Sequence, residues 1–365
     1  MGDCNINKCL LPLSWLYGLG VRLRNYCFDT GILKSRAFNL PVISVGNITV
    51  GGTGKTPHVE YLIRLLQDDF HVAVLSRGYK RKTSGFLKAD SRSTAHDVGD
   101  EPYQMKQKFP DITVAVDANR VNGIEQLMNG DSQLDVVLLD DAFQHRHVKP
   151  GINILLVDYH RLITNDGLLP AGRLREPMQG KRRADIVIIT KCPQTMEPID
   201  YRVIVKSMDL LPCQQLFFTT LDYGEPTAVF KETNDTDCKT SALKDHNVLL
   251  LTGIASPKLL AEYLQPQTLQ LSQLNFPDHH DFSSKDAEHI NSTFAALPSP
   301  RCIITTEKDA ARLRQLEGLS GDVRQHIFAL PIKINFIRPN EQNLFNQNII
   351  SYVRKNSRNS SLAES

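Results

Sequence analysis

Lys55 and Thr56 close the run Gly51-Gly52-Thr53-Gly54-Lys55-Thr56, a spacing that suits phosphate chemistry. In such a turn, backbone N–H groups at a helix start converge on phosphate oxygens. A lysine neutralises the terminal phosphates, and a threonine hydroxyl ligates Mg²⁺. The preceding Val42-Ile43-Ser44-Val45 reads as a buried strand, and a helical pattern begins at Pro57. The strict phosphate-loop pattern asks for glycine five residues before Gly54, where this chain has Thr49, with Gly46 nearby but out of register. The alternative is an ordinary glycine-rich turn between a strand and a helix.

Other groups could complete a transfer site. Leu138-Leu139-Asp140-Asp141 ends an apolar run in two carboxylates. Beside a phosphate loop such acids organise Mg²⁺ or its waters; alone they would be a cap or a turn. Asp100 and Glu101 stand at a helix start. Acids there satisfy free N–H groups and complement the helix dipole, and one of them could also be the base for an attacking hydroxyl. In Phe276-Pro277-Asp278-His279-His280-Asp281-Phe282, two adjacent histidines stand between acids. Adjacent residues seldom chelate one zinc, and no second pair at metal spacing lies nearby. An Asp-oriented histidine in an acid–base step and a plain loop remain. The basic stretches Arg77-Gly78-Tyr79-Lys80-Arg81-Lys82 and Gly172-Arg173-Leu174-Arg175-Glu176-Pro177, the latter followed by Lys181-Arg182-Arg183, follow strand ends or lie between strands. Anionic phosphates or lipid headgroups fit there, as does solvent.

The elements that must position these groups alternate. Strands are expected at 42–45, 71–75, 112–116, 135–139, 152–157 and 185–189, and helices at 57–67, 101–108 and 118–128. Near-continuous apolar strands in a βαβ rhythm predict an α/β, doubly wound, mostly parallel sheet of the P-loop NTPase kind, with ligands at its carboxyl edge. A less regular stretch over 192–245 marks a junction. A second, smaller α/β pattern follows, with strands at 248–251 and 302–305 and helices at 256–264 and 308–316. The expected layout is an N-terminal segment over 1–36, a kinase-type domain over 37–215, a smaller domain over 216–350 and a disordered tail over 351–365.

Composition narrows the partners. The 365 residues are 41% hydrophobic and 22% charged, with a net charge of +2, so no nucleic-acid partner is expected and any basic site is local. Seven scattered cysteines without a Cys-x-x-Cys pair suit a reducing compartment. No signal peptide is expected, because the early apolar run lacks a small-residue cleavage site. That run, Cys9 to Val21, is too short to span a bilayer and is followed by Arg22, Arg24, Lys34 and Arg36. Trp15 and Tyr17 beside these cations suit an amphipathic helix in a membrane interface; a helix packed on the core is the alternative.

Taken in order, the motifs resemble one family. Ser44-Val45-Gly46-Asn47 leads to the phosphate loop, then come Ser76-Arg77-Gly78-Tyr79, Gly99-Asp100-Glu101-Pro102 and Asp140-Asp141-x-Phe143-Gln144-His145. Gly172-x-Leu174-Arg175-Glu176-Pro177, Asp278-His279-His280 and Thr306-Glu307-Lys308-Asp309 continue the series, over residues 10–340. The chain resembles tetraacyldisaccharide 4′-kinase, the lipid A 4′-kinase of Gram-negative bacteria, a family that also lacks the first loop glycine. Ala142 departs from it, since the family usually has glycine after the paired acids.

The resemblance implies transfer of the ATP γ-phosphate to the 4′-hydroxyl of a tetraacylated glucosamine disaccharide 1-phosphate. The implied place is the cytoplasmic face of the inner membrane, with peripheral or monotopic attachment. It implies ATP and Mg²⁺ as cofactors, an acylated disaccharide lipid and a membrane surface as partners, and no legible protein partner. By motif, Lys55 and Thr56 hold phosphates and Mg²⁺, Asp140 and Asp141 serve the metal, and Asp100 is the base with His279 as its dyad partner. Arg77, Tyr79, Glu101, Arg120, Arg175 and Glu176 match active-site positions. A four-chain acceptor makes residues 9–24 an expected interfacial anchor. The rival readings are a phosphate-loop GTPase or metallochaperone switch and a membrane-bound ATPase. Thr190-Lys191-Cys192-Pro193 weakens the first, because Pro193 stands where a guanine-reading Asp belongs.

Overall fold

The computed structural model describes residues 6–230, 240–254, 256–278 and 280–357. The chain forms two compact units, residues 1–221 with 334–365, and residues 222–333. The expected limits therefore shift. The second unit is an insertion, and the chain returns to the first.

In the first unit the strands are β1 (Val42–Gly46), β2 (Val72–Ser76), β3 (Leu87–Lys88), β4 (Thr113–Val116), β5 (Val136–Asp140), β6 (Ile152–Asp158), β7 (Ile186–Thr190) and β8 (Gln215–Tyr223). The second unit carries β9 (Thr227–Ala228), β10 (Asn247–Thr252), β11 (Gln270–Asn275), β12 (Arg301–Thr306) and β13 (Ile327–Leu330), and β14 (Ile332–Phe336) leads back. Among the described residues the large sheet has nine strands, ordered β14-β8-β7-β6-β1-β5-β2-β4-β3. Pairings from β8 through β4 are parallel, and the two edge strands, β3 beside β4 and β14 beside β8, run antiparallel to their neighbours. This is the doubly wound α/β sheet expected from the continuous apolar runs. β1, β2, β5, β6 and β7 are buried along their whole length, so both faces need helices.

The helices of this unit are α1 (Leu11–Asp29), α2 (Lys55–Leu66), α3 (Ala95–Val98), α4 (Asp100–Lys108), α5 (Arg120–Gly130) and α6 (Pro198–Met208). Ile43 and Val45 of β1 share one core with Val59, Leu62 and Ile63 of α2 and with Met105 of α4. The opposite face buries Val42, Leu75 and Leu139 against Ile124 and Leu127 of α5. In the second unit, α7 (Lys258–Leu264), α8 (Ser284–Ala295), α9 (Glu307–Leu313) and α10 (Gly321–His326) accompany a five-stranded sheet ordered β11-β10-β12-β13-β9.

The last helix, α11 (Pro339–Asn356), corrects the expectation of a disordered tail from residue 351. Phe345, Ile349 and Val353 recur every four residues and sit in the core shared with β1 and α2. The stretch over 192–245 is likewise more regular than expected, since α6 and β8 complete the first unit. The middle of β8, Phe217 to Thr219, is buried by pairing with β7 and lying beside β14, which comes more than a hundred residues later.

Candidate active site

The phosphate loop leaves β1 through Gly46, where a Cβ would come within 2.8 Å of the Phe143 backbone nitrogen, so only glycine admits that approach. Gly51 and Gly54 take φ of 109° and 80°, the left-handed side that glycine tolerates. α2 starts at Lys55 with Gly54 as its N-cap, which turns the first free N–H groups of the helix toward the loop. The entry to the loop is zipped to the Arg173–Glu176 stretch. Val50 N donates to Arg173 O at 2.8 Å, Arg175 N donates to Ile48 O at 2.8 Å, and Thr49 bridges to Leu174.

That zipper brings Arg175 to the paired acids. Arg175 Nη1 lies 3.7 Å from Asp141 Oδ2, and Lys55 Nζ lies 3.6 Å from Asp141 Oδ1. Asp141 is one-third exposed, and its φ of 48° is left-handed without glycine's freedom, a strain often found at working sites. Ala142 has no such conformation, so replacing the family's glycine there leaves the backbone relaxed. Asp140 is buried at the end of β5. Its Oδ2 accepts from Ser76 Oγ at 3.3 Å, and its Oδ1 has no hydrogen-bond partner. Burial, then Glu101 and Asp141, push its carboxyl up to about 7, against the opposing pull of Lys55 and Arg120.

A buried carboxylate oxygen without a partner beside a second, accessible carboxylate suits a hard divalent cation. Among the described residues no three His, Cys, Asp or Glu side chains gather as a complete protein cage. A magnesium site completed by phosphate oxygens and water needs no such cage.

The remaining expected residues fall into three groups. Arg77 and Tyr79 are exposed on the turn after β2. Gly78 in that turn and Gly99 at the start of α4 pack back to back, so that a Cβ on Gly99 would sit 3.0 Å from Tyr79 O. This contact brings Asp100 and Glu101, in the first turn of α4, to the turn carrying Arg77 and Tyr79. Arg120 and Glu176 differ from the expected lining role. Arg120 is buried beneath the acids and donates to Asp117 O at 3.2 Å and Asp140 O at 3.3 Å; burial lowers its guanidinium to about 10. Glu176 is buried too, and both its oxygens accept from Arg183 Nη2 at 2.9 Å. The partners of both side chains lie in the protein. His279 lies outside the described residues. Its neighbours are engaged locally, Asp278 with Lys308 at 3.4 Å and His280 with Asp286 at 3.1 Å.

Several neighbours of the acids and the loop carry no pattern of their own that marks them in the sequence. Ser76 holds Asp140, and its position at the end of β2 was the available signal. His145 lies near Arg120, Arg24 and Arg77, and burial with these cations lowers its imidazole to about 4, so it stays neutral. Lys191 and Asp158 form an ion pair of 2.8 Å against the phosphate loop, at a position weighed only as a purine reader.

A parallel sheet whose first strand runs into a glycine-rich turn, with lysine at the helix start facing a strand-end acid, defines a phosphate-loop nucleotide enzyme. The family model for tetraacyldisaccharide-1-P 4′-kinase matches residues 6–351. The chain is 57% identical over 361 residues to the tetraacyldisaccharide 4′-kinase of Phocaeicola vulgatus, covering 98% of each chain. It is 48% identical to that of Flavobacterium johnsoniae, covering 96% of this chain and 98% of the relative. The crystal structure of the "apo" form of LpxK from Aquifex aeolicus in complex with ATP superposes with a TM-score of 0.72 at 29% identity, covering 95% of this chain and 99% of that one. The chain belongs to the tetraacyldisaccharide 4′-kinase family, and is a kinase rather than a GTPase switch.

Proposed function

We propose that this kinase moves the γ-phosphate of ATP to the 4′-hydroxyl of a tetraacyldisaccharide 1-phosphate at a membrane surface, with Mg²⁺ as the metal. The observation that carries the site is the meeting of Lys55, Arg175 and Asp141 over the unpartnered oxygen of Asp140. Loop N–H groups from Gly51 to Thr56 hold phosphate oxygens, and Lys55 neutralises the terminal ones. Thr56, Asp140 and Asp141 would hold the magnesium, which when bound would offset phosphate charge. Arg175 leaves Asp141 for the transferring phosphoryl group, where its fork matches phosphate oxygens. Asp100 takes the proton of the 4′-hydroxyl as the oxygen bonds to phosphorus and the bond to ADP breaks. His279 keeps the part in the acid–base step that its family motif implies, and Arg77, Tyr79 and Glu101 line the acceptor side. Arg120 and Glu176 hold the acids and the Arg175 strap in place.

The exposed side of α1 supports the membrane reading. Among its described residues only Ser14, Gly18 and Phe28 are buried, whereas Leu13, Trp15, Leu16, Leu19 and Leu23 are exposed, Trp15 to 78%. Apart from Phe28 at its C-terminal end, the helix turns small residues to the protein and large apolar ones outward, the reverse of a helix packed on a core along its length. No helix among the described residues is long and apolar enough to cross a membrane. An interfacial helix on the cytoplasmic face of the inner membrane fits both facts.

Incubating the protein with ATP, Mg²⁺ and the tetraacyldisaccharide 1-phosphate should yield a bis-phosphorylated lipid. ATP turnover that ignores the lipid would refute this reading. Asp100→Ala should lower kcat by about 10²–10⁴-fold, and His279→Ala by less. Full activity of Asp100→Ala removes it from the base role.

A further inference from the structure

The phosphate loop can present its N–H groups only if its carbonyls are turned the other way, because C=O and the next N–H point oppositely across a planar peptide. In this protein three successive carbonyls are held. Asn47 Nδ2 lies 3.5 Å from Gly51 O, Lys191 Nζ donates to Gly52 O, and Thr190 Oγ1 donates to Thr53 O at 3.0 Å. The N–H groups of Gly52, Thr53 and Gly54 belong to those same peptides. Asn47 Nδ2 also reaches Thr53 Oγ1 at 2.8 Å.

Lys191 is the charged member of this set, and its surroundings are built for it. It follows β7 with φ of 58°, a left-handed conformation costly for a side chain of this length. Its ammonium is 2.8 Å from Asp158 Oδ2 at the end of β6, and the two side chains are 10% and 8% exposed. Asp158 Oδ1 accepts from His160 N at 2.9 Å, and Tyr159 N donates to Thr190 O at 2.9 Å, which joins the two strand ends. The Asp158 carboxylate neutralises the ammonium and aims it at Gly52 O.

We propose that Lys191, seated by Asp158, is a positioning residue for the nucleotide: it ties back the Gly52 carbonyl and thereby sets the phosphate loop in the shape that receives the ATP phosphates. This rests on ATP being the phosphoryl donor. Lys191 thus acts on the loop rather than on the purine ring, and so its use does not require the guanine-reading Asp that Pro193 replaces.

The test is the paired variant Lys191→Met with Asp158→Asn, which removes the tether without leaving a buried charge. Thr190→Val accompanies it, releasing the neighbouring carbonyl while keeping the ion pair. Wild-type protein is assayed first for MgATP binding and lipid phosphorylation, so that failure of the kinase reading shows itself separately. The paired variant should raise KM for MgATP about tenfold or more, leave KM for the lipid unchanged, and speed amide exchange at residues 50–54. Thr190→Val should move the same readouts in the same direction by about two- to threefold. If the paired variant does not fold, Lys191→Gln with Asp158→Asn, which also removes the ammonium and its counter-charge but keeps polar side chains there, carries the decision by the same readouts. A lowered melting temperature with wild-type KM for MgATP and wild-type exchange at 50–54 overturns the proposal.

Discussion

The phosphate-loop corner and α1 lie beside one another and are unfinished in opposite ways. At the corner the leftover is polar: a buried carboxylate oxygen without a partner, and cations gathered on one accessible acid. On α1 the leftover is apolar, a row of large side chains facing outward from a helix that seats itself through Ser14 and Gly18. The two are joined by short bonds. Tyr17 OH donates to Arg175 O at 2.6 Å, Arg24 donates to Gln144 O at 2.8 Å, and Asn25 O accepts from Arg146 Nη1 at 3.0 Å. Each kind of leftover names the partner that would complete it, a cation with phosphates in one case and a lipid surface in the other. A lipid kinase needs both, held at fixed separation.

The widest separation between the two regions comes from Lys55→Ala. It should lower kcat by about 10³-fold, because phosphoryl transfer depends mainly on charge neutralisation and positioning. Recovery of the variant with membranes should be unchanged. Loss of membrane recovery along with activity would break the division of labour.

Asp140→Asn sharpens the polar side, because activity and stability should move in opposite directions. Activity should fall by about 10²-fold or more, since a carboxylate toward the metal is lost. Burial and the neighbouring acids push the Asp140 carboxyl up to about 7 from its ordinary 3.8, so the folded state binds the extra proton. The stability this contributes is complete below pH 3.8 and lost as pH rises through 7. Asparagine carries no such dependence. In chelator, the variant should therefore melt higher than wild type at pH 8, and the gap should narrow toward pH 5. A variant that melts lower at pH 8 would mean that Asp140 is stabilised by partners in the apo protein.

What the sequence disclosed follows the same division. The corner is local: a strand, a turn, a helix start and a strand-end acid pair each carry their own pattern, so the placing of Lys55, Thr56, Asp140 and Asp141 on these elements is legible. Arg175 was legible only as a basic residue in a motif, because its place depends on pairing between 48–50 and 173–175 across more than a hundred residues. Arg120 and Glu176 were misplaced for a related reason. Charge in a motif reads as a surface group, while burial depends on Asp140 and Arg183 arriving from elsewhere in the chain. The fold showed the same limit. Central strands announced themselves as apolar runs, but β8, β14 and α11 are defined by the chain returning after the inserted unit. The four-residue spacing of Phe345, Ile349 and Val353 was a signal for α11 that composition at the tail obscured.

On the apolar side, Trp15→Glu with Leu16→Glu and Leu19→Glu should release the protein from sedimented vesicles. It should also raise the apparent KM for the acylated substrate about tenfold, because each apolar residue removed from the interface weakens binding. These side chains are exposed, so the melting temperature should stay near wild type. Turnover on substrate dispersed in detergent should also be retained. Equal vesicle binding by the triple variant would leave α1 as a packed helix with an unexplained surface.

The smallest effect separates the two faces of α1 by its own glycines. A Cβ at Gly18 would lie 2.7 Å from Leu168 Cδ1, whereas one at Gly20 meets nothing within 4 Å. Gly18→Val should therefore lift α1 from the 168–171 segment and loosen the Ser14 and Tyr17 bonds, at a cost of about 1–3 kcal/mol. Because Tyr17 holds Arg175 O beside Asp141, kcat/KM for the lipid should fall about two- to threefold. Gly20→Ala should do the reverse, adding about 0.5–1 kcal/mol through helix propensity while leaving kcat/KM unchanged. If both substitutions act alike, the seating of α1 through Gly18 has no bearing on the strap that carries Arg175, and the two regions are neighbours without being coupled.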